Sequence, residues 1–258
     1  MHLLAEESSR FNERLAVYET TRLYGETGKY RILQFADAAV QGAADLKNPS
    51  RIVLPYQRAL LHLMERNVPS LEDVFVIGHG IGSIAGQYPH KRFVVAEIDE
   101  KVVELSRLFF NYRLDNVIVG DGRTILLDQA ANAFDCIILD AFNSNGTPGH
   151  LVSVPFFDLT ADKLDSRGIL LVNVVGKAVN DKLVNAIHSS MRQAYGCTKA
   201  FFLPGEDDDR SGNVLLTGSG GVIEYDAGQM AGFAEIELEE GYPIRDGRAY
   251  ISGSSRRS

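Results

Sequence analysis

Apolar runs and helical patterns alternate along the middle of the chain, from residue 49 to about residue 218. Several of the apolar runs are continuous, as expected for parallel strands that are buried on both faces. The predicted strands span residues 73–77, 93–97, 116–120, 135–139, 168–174, 198–203 and 213–217. Helical patterns lie at residues 52–64, after a predicted cap at Asp99, and at residues 156–164 and 181–195. Strands that alternate with helices predict a parallel α/β sheet.

The last two predicted strands are joined only by the segment 204–212, PGEDDDRSG. This segment is too short for a crossover helix, so the two strands must pair as an antiparallel hairpin. A mostly parallel sheet with one antiparallel strand is, by analogy, the Rossmann-like architecture of class I methyltransferases. The pattern therefore predicts an α/β fold of that type.

The two ends of the chain differ from its middle. Residues 1–48 contain two strand-like segments, 14–20 and 29–36, separated by a glycine-containing turn, which predicts a small N-terminal β-domain built on a hairpin. Residues 49–218 form the predicted Rossmann-like domain. Residues 219–258 are glycine-rich and end in SSRRS, so we expect a partly flexible C-terminal extension with a frayed end.

The composition is that of an ordinary soluble globular protein. The 258 residues include 26 Lys+Arg and 34 Asp+Glu, a net charge of −8, which argues against a nucleic-acid partner. No apolar run reaches the roughly 18 residues of a membrane helix, and the N-terminus lacks the apolar core of a signal peptide. The two cysteines cannot form a disulfide scaffold, which favours the cytoplasm. Histidines and cysteines show no metal-ligand spacing, so no metal site is predicted.

A glycine-rich turn follows the first strand of the predicted sheet, where Gly78, Gly80 and Gly82 alternate with His79 and Ile81. Glycines at a strand-to-helix turn let the backbone approach a ligand, and the helix N-terminus favours polar or anionic groups. A serine replaces the third glycine of the dinucleotide fingerprint, and no Gly-Lys-Ser/Thr follows. By itself the loop fits a plain tight turn as well as a ligand site. A donor contact and a solvent-facing side chain both remain open for His79.

Acidic residues follow the next three strands. Glu97 ends the second strand, Asp121 comes directly after the third, and Asp140 directly after the fourth. Ligands of open α/β sheets bind outside the carboxyl ends of the strands. Each acid alone could be a helix cap or a solvated loop residue. Four successive strands that each end in a glycine loop or an acid predict an adenosine-type ligand.

Five segments occur in an order and spacing typical of one family: VFVIGHGIG, VVAEIDEKVVELSR, VIVGDG, FDCIILDAF and PFFDLTADKLDSRGILLVNV. With them, the chain from about residue 41 to residue 217 resembles the spermidine synthase-like family, the polyamine aminopropyltransferases and their methyltransferase-like relatives. The resemblance implies a small N-terminal β-domain before a Rossmann-like domain. It also implies S-adenosylmethionine or decarboxylated S-adenosylmethionine as co-substrate, and a homodimer.

The resemblance assigns expected roles to individual residues. It implies that Glu97 binds the ribose, that Asp121 accepts a hydrogen bond from the adenine amino group, and that the glycine loop lies beside the methionine-derived chain. Gln41 is the expected nucleoside contact. On the substrate side, it implies that Tyr56 contacts the acceptor and that Asp140 is the general base.

Four positions depart from the family pattern. Ile81 stands where an aspartate is usual, Asn143 replaces the second Asp of Asp-x-x-Asp, and Gln57 and Arg58 replace a His and a Glu. Asn143 remains a predicted substrate-side residue. Because Ile81 removes the contact to an aminopropyl ammonium, methyl transfer to a small nucleophile, an amine among the candidates, is slightly favoured. Aminopropyl transfer, with the missing acids supplied from elsewhere such as the acidic segment 206–209, and a catalytically idle adenosyl-binding protein remain open.

Overall fold

The N-terminal part of the chain forms a small antiparallel sheet. The computed structural model describes residues 1–36, 40–142, 146–205 and 211–247. Within these ranges the sheet has four strands, paired in the order of the sequence. They are β1 (His2–Glu7), β2 (Leu15–Leu23), β3 (Glu26–Phe35) and β4 (Val40–Asp45). β2 and β3 form the predicted hairpin. β1 and β4 were missed because β1 is largely exposed and β4 consists mostly of small and polar residues.

The main sheet has eight strands within the described ranges, in the order β12-β10-β11-β9-β8-β5-β6-β7. They are β5 (Asp73–Ile77), β6 (Arg92–Glu97), β7 (Val117–Val119), β8 (Phe134–Leu139), β9 (Leu164–Lys177), β10 (Cys197–Pro204), β11 (Ser211–Ser219) and β12 (Ala234–Ile236). Strands β5 to β9 run parallel, and β10 and β11 form the predicted antiparallel hairpin. The predicted Rossmann-like fold is confirmed. The short edge strand β12 adds a second antiparallel strand beyond the one predicted.

One helix precedes the first strand of the main sheet, and the others lie between its successive strands up to β10. They are α1 (Pro55–Asn67), α2 (Ser83–Gly86), α3 (Glu100–Phe109), α4 (Gly122–Leu127), α5 (Val154–Lys163) and α6 (Lys182–Met191). The predicted cap is confirmed, because the Asp99 carboxylate accepts a hydrogen bond from the backbone N–H of Lys101. Helix α1 begins at Pro55 rather than at residue 52, since Ile52 forms a β-bridge with Ala44 and a proline fits the first turn of a helix. No helix in the described ranges has the length and apolar character that a membrane crossing requires.

The sheet is buried on both faces, which explains the continuous apolar runs. In β5, Val74 and Val76 face the cluster that α1 covers, whereas Phe75 and Ile77 face the cluster that α5 and α6 cover. Successive side chains of a strand point to opposite faces, so both sets must be apolar. The parallel strands thus carry their carboxyl ends to one edge of a fully packed core.

The N-terminal sheet packs directly on the glycine loop and on α3. Leu15, Val17 and Leu33 form one buried cluster with Ile81 and with the apolar face of α3. This contact fixes the N-terminal sheet beside the carboxyl edge of the main sheet. It also meets the requirement that so small a sheet must bury its apolar face against another element.

The described part of the C-terminal extension is docked on the main domain. The backbone N–H of Gly241 donates to Ser189 Oγ at 2.8 Å, and that of Ile244 to Ser190 Oγ at 2.7 Å. The carbonyl oxygen of Ile244 accepts from the backbone N–H of Val154 at 2.9 Å. The segment therefore joins α6 to the start of α5. The end of the chain that we expect to be frayed lies outside the described residues.

Candidate active site

A cavity of about 380 Å³ opens at the carboxyl edge of the parallel strands, next to the N-terminal sheet. Every predicted site residue within the described ranges lines it: Gln41, Tyr56, Gly78, Gly80, Gly82, Glu97, Asp121 and Asp140. The remaining predicted site residue, Asn143, lies outside the described residues, as does the acidic segment 206–209. One cavity therefore brings the predicted donor-side residues and the predicted base together.

The glycine loop requires its glycines for packing as well as for backbone conformation. Gly78, Gly80 and Gly82 have φ values of +100°, +54° and +80°, in the left-handed region that favours glycine. A Cβ at Gly78 would collide with the backbone carbonyl of Asp140, and a Cβ at Gly80 would lie 3.2 Å from the carbonyl oxygen of Gln41. The loop is thus a tight turn that lets three backbone segments converge at the cavity.

Glu97 presents a buried carboxylate that backbone groups hold in place. Its Oε2 accepts a hydrogen bond from the backbone N–H of His79 at 2.8 Å, and its Oε1 accepts one from the N–H of Asp99 at 2.9 Å. Burial raises the pKa of Glu97, while these two hydrogen bonds act to lower it. A carboxylate oxygen can accept more than one hydrogen bond, so this geometry fits a pair of vicinal hydroxyl groups such as those of a ribose.

Asp121 is held on both of its oxygens. Oδ1 accepts from the backbone N–H and the hydroxyl of Thr124, both at 2.9 Å, so Asp121 caps α4. Oδ2 accepts from His150 Nε2 at 2.9 Å. The hydrogen bond from His150 is the main reason that the pKa of Asp121 lies far below its usual value. Asp121 is therefore both a helix cap and a charged group at the cavity. His150 was not among the predicted site residues.

Asp140 lies in a small network of polar side chains. Tyr56 donates its hydroxyl proton to Oδ2 at 3.0 Å, and Asn173 Nδ2 donates to Oδ1 at 2.9 Å. Asn213 Nδ2 in turn donates to Asn173 Oδ1 at 3.0 Å. Burial raises the pKa of Asp140, and the two hydrogen bonds partly oppose the rise. A carboxylate with a raised pKa is a better proton acceptor, which suits a general base. Asn173 could have been identified as a candidate site residue from the sequence, since it is a polar residue within an apolar strand.

Comparison with known proteins decides the family. The family model for the spermine/spermidine synthase domain matches residues 53–204, which is more than half of the chain. The chain belongs to the spermine/spermidine synthase family. A polyamine aminopropyltransferase from Vibrio vulnificus is 28% identical over 226 residues, covering 82% of this chain and 73% of the relative. Putrescine N-methyltransferase 2 from Nicotiana attenuata is 28% identical over 152 residues, covering 55% of this chain and 41% of the relative.

Solved structures agree with the family at the level of the fold. The crystal structure of a probable spermidine synthase from Corynebacterium glutamicum matches with a TM-score of 0.75 at 18% identity, covering 95% of this chain and 96% of that chain. The match includes both the N-terminal sheet and the main domain. The chain aligns with only about two fifths of the length of the putrescine N-methyltransferases.

The clearest departure of this member of the spermine/spermidine synthase family is at Ile81. Its side chain is buried in the contact between the glycine loop and the N-terminal sheet, where a Cβ at Gly42 would collide with it. The family aspartate implied by the resemblance is thus replaced by a residue that serves packing. No carboxylate enters the cavity at this position.

His79 is buried, so a solvent-facing side chain is wrong for this residue. Its Nε2 lies 2.8 Å from Ser106 Oγ, and its ring packs edge-on against Tyr112 at 4.6 Å. Ser106 donates its only hydroxyl proton to the carbonyl of Val103, so His79 Nε2 must be the donor to Ser106. Burial lowers the pKa of His79 to about 4, which keeps the imidazole neutral at pH 7.

Two further features of the cavity were missed by sequence reasoning. Gln57 is buried beside Tyr56, and its Oε1 has no hydrogen-bond partner among the described residues, which leaves an acceptor for a ligand N–H or O–H group. The loop between β1 and β2 also lines the cavity, through Arg10, Phe11 and Asn12. Ser9 and Asn12 both donate to the Asp99 carboxylate, which anchors this loop. Within the described ranges, no three His, Cys, Asp or Glu side chains converge as metal ligands would.

Proposed function

We propose that this chain binds S-adenosylmethionine or its decarboxylated form in the cavity and transfers a group from it to a small nucleophile. The observation that carries the proposal is the ordered set of carboxylates along one sheet edge. In this proposal Glu97 binds the ribose hydroxyls, Asp121 accepts from the adenine amino group, and Asp140 takes the proton of the reacting nucleophile; all three line the cavity. The transferases among the family relatives support the same reading.

Asp140 is the proposed general base. A sulfonium donor supplies an activated carbon, whose bond to sulfur breaks as the nucleophile attacks and leaves its electron pair on sulfur. Asp140 accepts the proton that the attacking amine or hydroxyl group loses. Tyr56 and Asn173 each hold one oxygen of Asp140, which fixes the carboxylate in a single orientation.

Methyl transfer is the favoured reaction because of Ile81. An aminopropyl group carries an ammonium, and the position where the family pattern has an acid is filled by a buried apolar side chain. A methyl group needs no such counter-charge. The acceptor in this proposal is small, with an amine as one candidate. The relatives named putrescine N-methyltransferase are consistent with this choice.

Aminopropyl transfer is the second candidate, favoured by a different observation. The polyamine aminopropyltransferase from Vibrio vulnificus aligns over 82% of this chain, compared with 55% for the methyltransferase from Nicotiana attenuata. The buried acceptor atom of Gln57 offers a hydrogen-bond partner for a cationic group at the cavity. This reaction would use decarboxylated S-adenosylmethionine and an amine.

A calorimetric titration tests the proposal. The purified chain is titrated in parallel with S-adenosylmethionine, decarboxylated S-adenosylmethionine and methylthioadenosine, with Glu97→Ala as the binding-deficient control. Tighter binding of the carboxylated donor supports methyl transfer, and incubation of candidate amines with donor labelled on its methyl group then identifies the acceptor. Tighter binding of the decarboxylated donor selects aminopropyl transfer. Absence of binding by all three ligands contradicts the proposal, and binding without any transfer indicates an idle adenosyl-binding protein.

A further inference from the structure

The C-terminal segment (residues 237–247) packs next to the part of the cavity that Asp121 and His150 line. Its backbone is tied to Ser189 and Ser190 on α6 and to Val154 at the start of α5. These contacts carry Asp246 to the side chain of Arg123 on α4, the helix that Asp121 caps. A segment expected to be partly flexible is thus tied to the helix that a predicted ligand-binding residue caps.

Asp246 and Arg123 form a shielded, bidentate ion pair. Arg123 Nη1 donates to Asp246 Oδ1 at 2.9 Å, and Nη2 donates to Oδ2 at 2.8 Å. The side chains are only 11% and 12% exposed, and Ser153 Oγ donates to Asp246 Oδ1 at 2.6 Å. Paired donors of this kind fix the plane of the guanidinium as well as its position, and low exposure reduces screening by salt. Asp246 therefore holds the Arg123 side chain in one orientation.

Arg123 passes this constraint on to His150. The same Nη1 atom donates to the backbone carbonyl oxygen of His150 at 3.0 Å. His150 then donates from Nε2 to Asp121 Oδ2 at 2.9 Å. Because Thr124 holds the other oxygen, Oδ1, both edges of the Asp121 carboxylate are fixed. The chain of contacts runs from Asp246 through Arg123 and His150 to Asp121 without a break.

We propose that Asp246 is a positioning residue for the recognition of a 6-aminopurine, and that the C-terminal segment is a working part of the donor site. The inference rests on the proposed function, since it takes Asp121 as the acceptor for the exocyclic amino group. Asp246 does not touch the purine. It fixes the position of Asp121 Oδ2 through Arg123 and His150. Loss of Asp246 therefore weakens the preference for the amino group more than it weakens binding in general.

The selectivity of binding separates this role from a merely structural one. Two probes are compared by calorimetry: methylthioadenosine, and the analogue whose purine lacks the 6-amino group. Asp246→Ala and Asp246→Asn remove the bidentate pair, and Asp246→Glu keeps a carboxylate for rescue. Glu239→Gln is the matched control, because Glu239 lies in the same C-terminal segment and accepts from Asn185 on α6. If circular dichroism shows that both neutral Asp246 variants fail to fold, Arg123→Lys removes the same bidentate pair from the other side.

We expect the wild-type chain to bind methylthioadenosine roughly tenfold or more tightly than the analogue, because a site built for a hydrogen bond rejects a ligand that cannot make it. Asp246→Ala, Asp246→Asn and Arg123→Lys should each reduce that ratio at least about threefold. Asp246→Glu should restore part of it, and Glu239→Gln should leave it unchanged.

Three results would overturn the inference. In the first, the Asp246 variants keep the wild-type ratio. In the second, they weaken the binding of both probes equally, which would mean that the segment supports the structure of the cavity in general. In the third, the wild-type chain does not distinguish the two probes, which would remove Asp121 as the reader of the amino group. If the wild-type chain binds neither probe, the proposed function fails first, and that failure is seen before any variant is compared.

Discussion

The hydroxyl group of Tyr56 donates to Oδ2 of Asp140 across 3.0 Å, which joins the first turn of α1 to the end of β8. The two residues are far apart in the sequence, and the contact brings an aromatic side chain next to a buried carboxylate. Burial, together with the charge of Asp140, raises the pKa of Tyr56 well above its usual value, so Tyr56 acts as a donor and not as a base. Asp140 is therefore the member of the pair that can take up a proton.

Replacing Asp140 should reduce turnover strongly without weakening the binding of the donor. In Asp140→Asn we expect turnover to fall by about 10²-fold or more, because an amide cannot accept the proton, while affinity for the adenosyl ligand changes little. Steady-state rates and calorimetry measure the two quantities separately. Asp128→Asn is the matched control, since Asp128 is exposed at the end of α4. Undiminished turnover in Asp140→Asn would place the base elsewhere.

The pH dependence of the rate should report Asp140. Since burial raises its pKa, kcat/KM should decline as the pH falls through a value above the usual range of an aspartate. Asn173 stabilises the charged form through its hydrogen bond, so Asn173→Ala should raise the pKa further and move this decline to higher pH. Rates of the two proteins should converge at the alkaline end. Thr217→Val, which alters a buried polar residue on the neighbouring strand, should leave the pH profile unchanged. An unchanged pH profile in Asn173→Ala would contradict the assignment of Asp140 as the base.

The buried charge of Asp140 should also lower the free energy of unfolding at neutral pH. A carboxyl group with a raised folded-state pKa binds a proton more readily in the folded than in the unfolded chain, so its penalty is absent below the unfolded pKa and fully present above the folded pKa. We therefore expect Asp140→Asn to unfold at a higher temperature than the wild type at pH 7. The difference should shrink as the pH falls toward the usual pKa of an aspartate. Thermal melts at several pH values measure it, and a variant less stable than wild type at pH 7 would argue against a destabilising charge.

The sequence was most informative where one physical requirement dominated. Continuous apolar runs predicted the parallel strands because burial on both faces of β5 and its neighbours excludes polar residues. The hairpin of β10 and β11 followed from the short segment between the strands. β1 and β12 were missed, since β1 is largely exposed and β12 has only three residues, so neither leaves a hydrophobic period.

Sequence reasoning could predict the cavity residues that follow directly after strands. It could not predict contacts between residues that are far apart in the sequence. Glu97, Asp121 and Asp140 were expected at one edge because the parallel topology sends the ends of β6, β7 and β8 there, and all three line the cavity. The pair of Arg123 and Asp246 could not be found, because 123 sequence positions separate the two residues and only the docking of the C-terminal segment brings them together. The division of the chain at residues 48 and 218 remains a prediction.

Glu97 should contribute strongly to ligand affinity. In Glu97→Ala we expect binding of methylthioadenosine to weaken by about 1–3 kcal/mol, because charge-assisted hydrogen bonds to the ribose are lost. Calorimetric titration measures the change. Glu100→Ala is the matched control, since Glu100 is an exposed residue of the first turn of α3 and lies three positions away. Equal affinity in the Glu97 variant and the wild type would remove Glu97 from the ribose site.

Ile81 should resist conversion to the aspartate of the family pattern. Ile81→Asp would bury a carboxylate against the apolar side chains of Leu15, Val17 and Leu33. We expect the free energy of unfolding to fall by about 3 kcal/mol or more, as for other unpaired buried charges. Ile81→Val, which only removes a methylene group, should cost about 1 kcal/mol. Chemical denaturation measures both values.

The same variant separates the two candidate reactions. If Ile81→Asp folds with little loss of stability and binds decarboxylated S-adenosylmethionine more tightly than the wild type does, the carboxylate can turn into the cavity, and the packing argument against aminopropyl transfer loses its force. If the variant is strongly destabilised and gains no affinity, the contact between the N-terminal sheet and the glycine loop is what excludes the acid. Donor preference would then be set by the way the two sheets pack, as well as by the residues that touch the ligand.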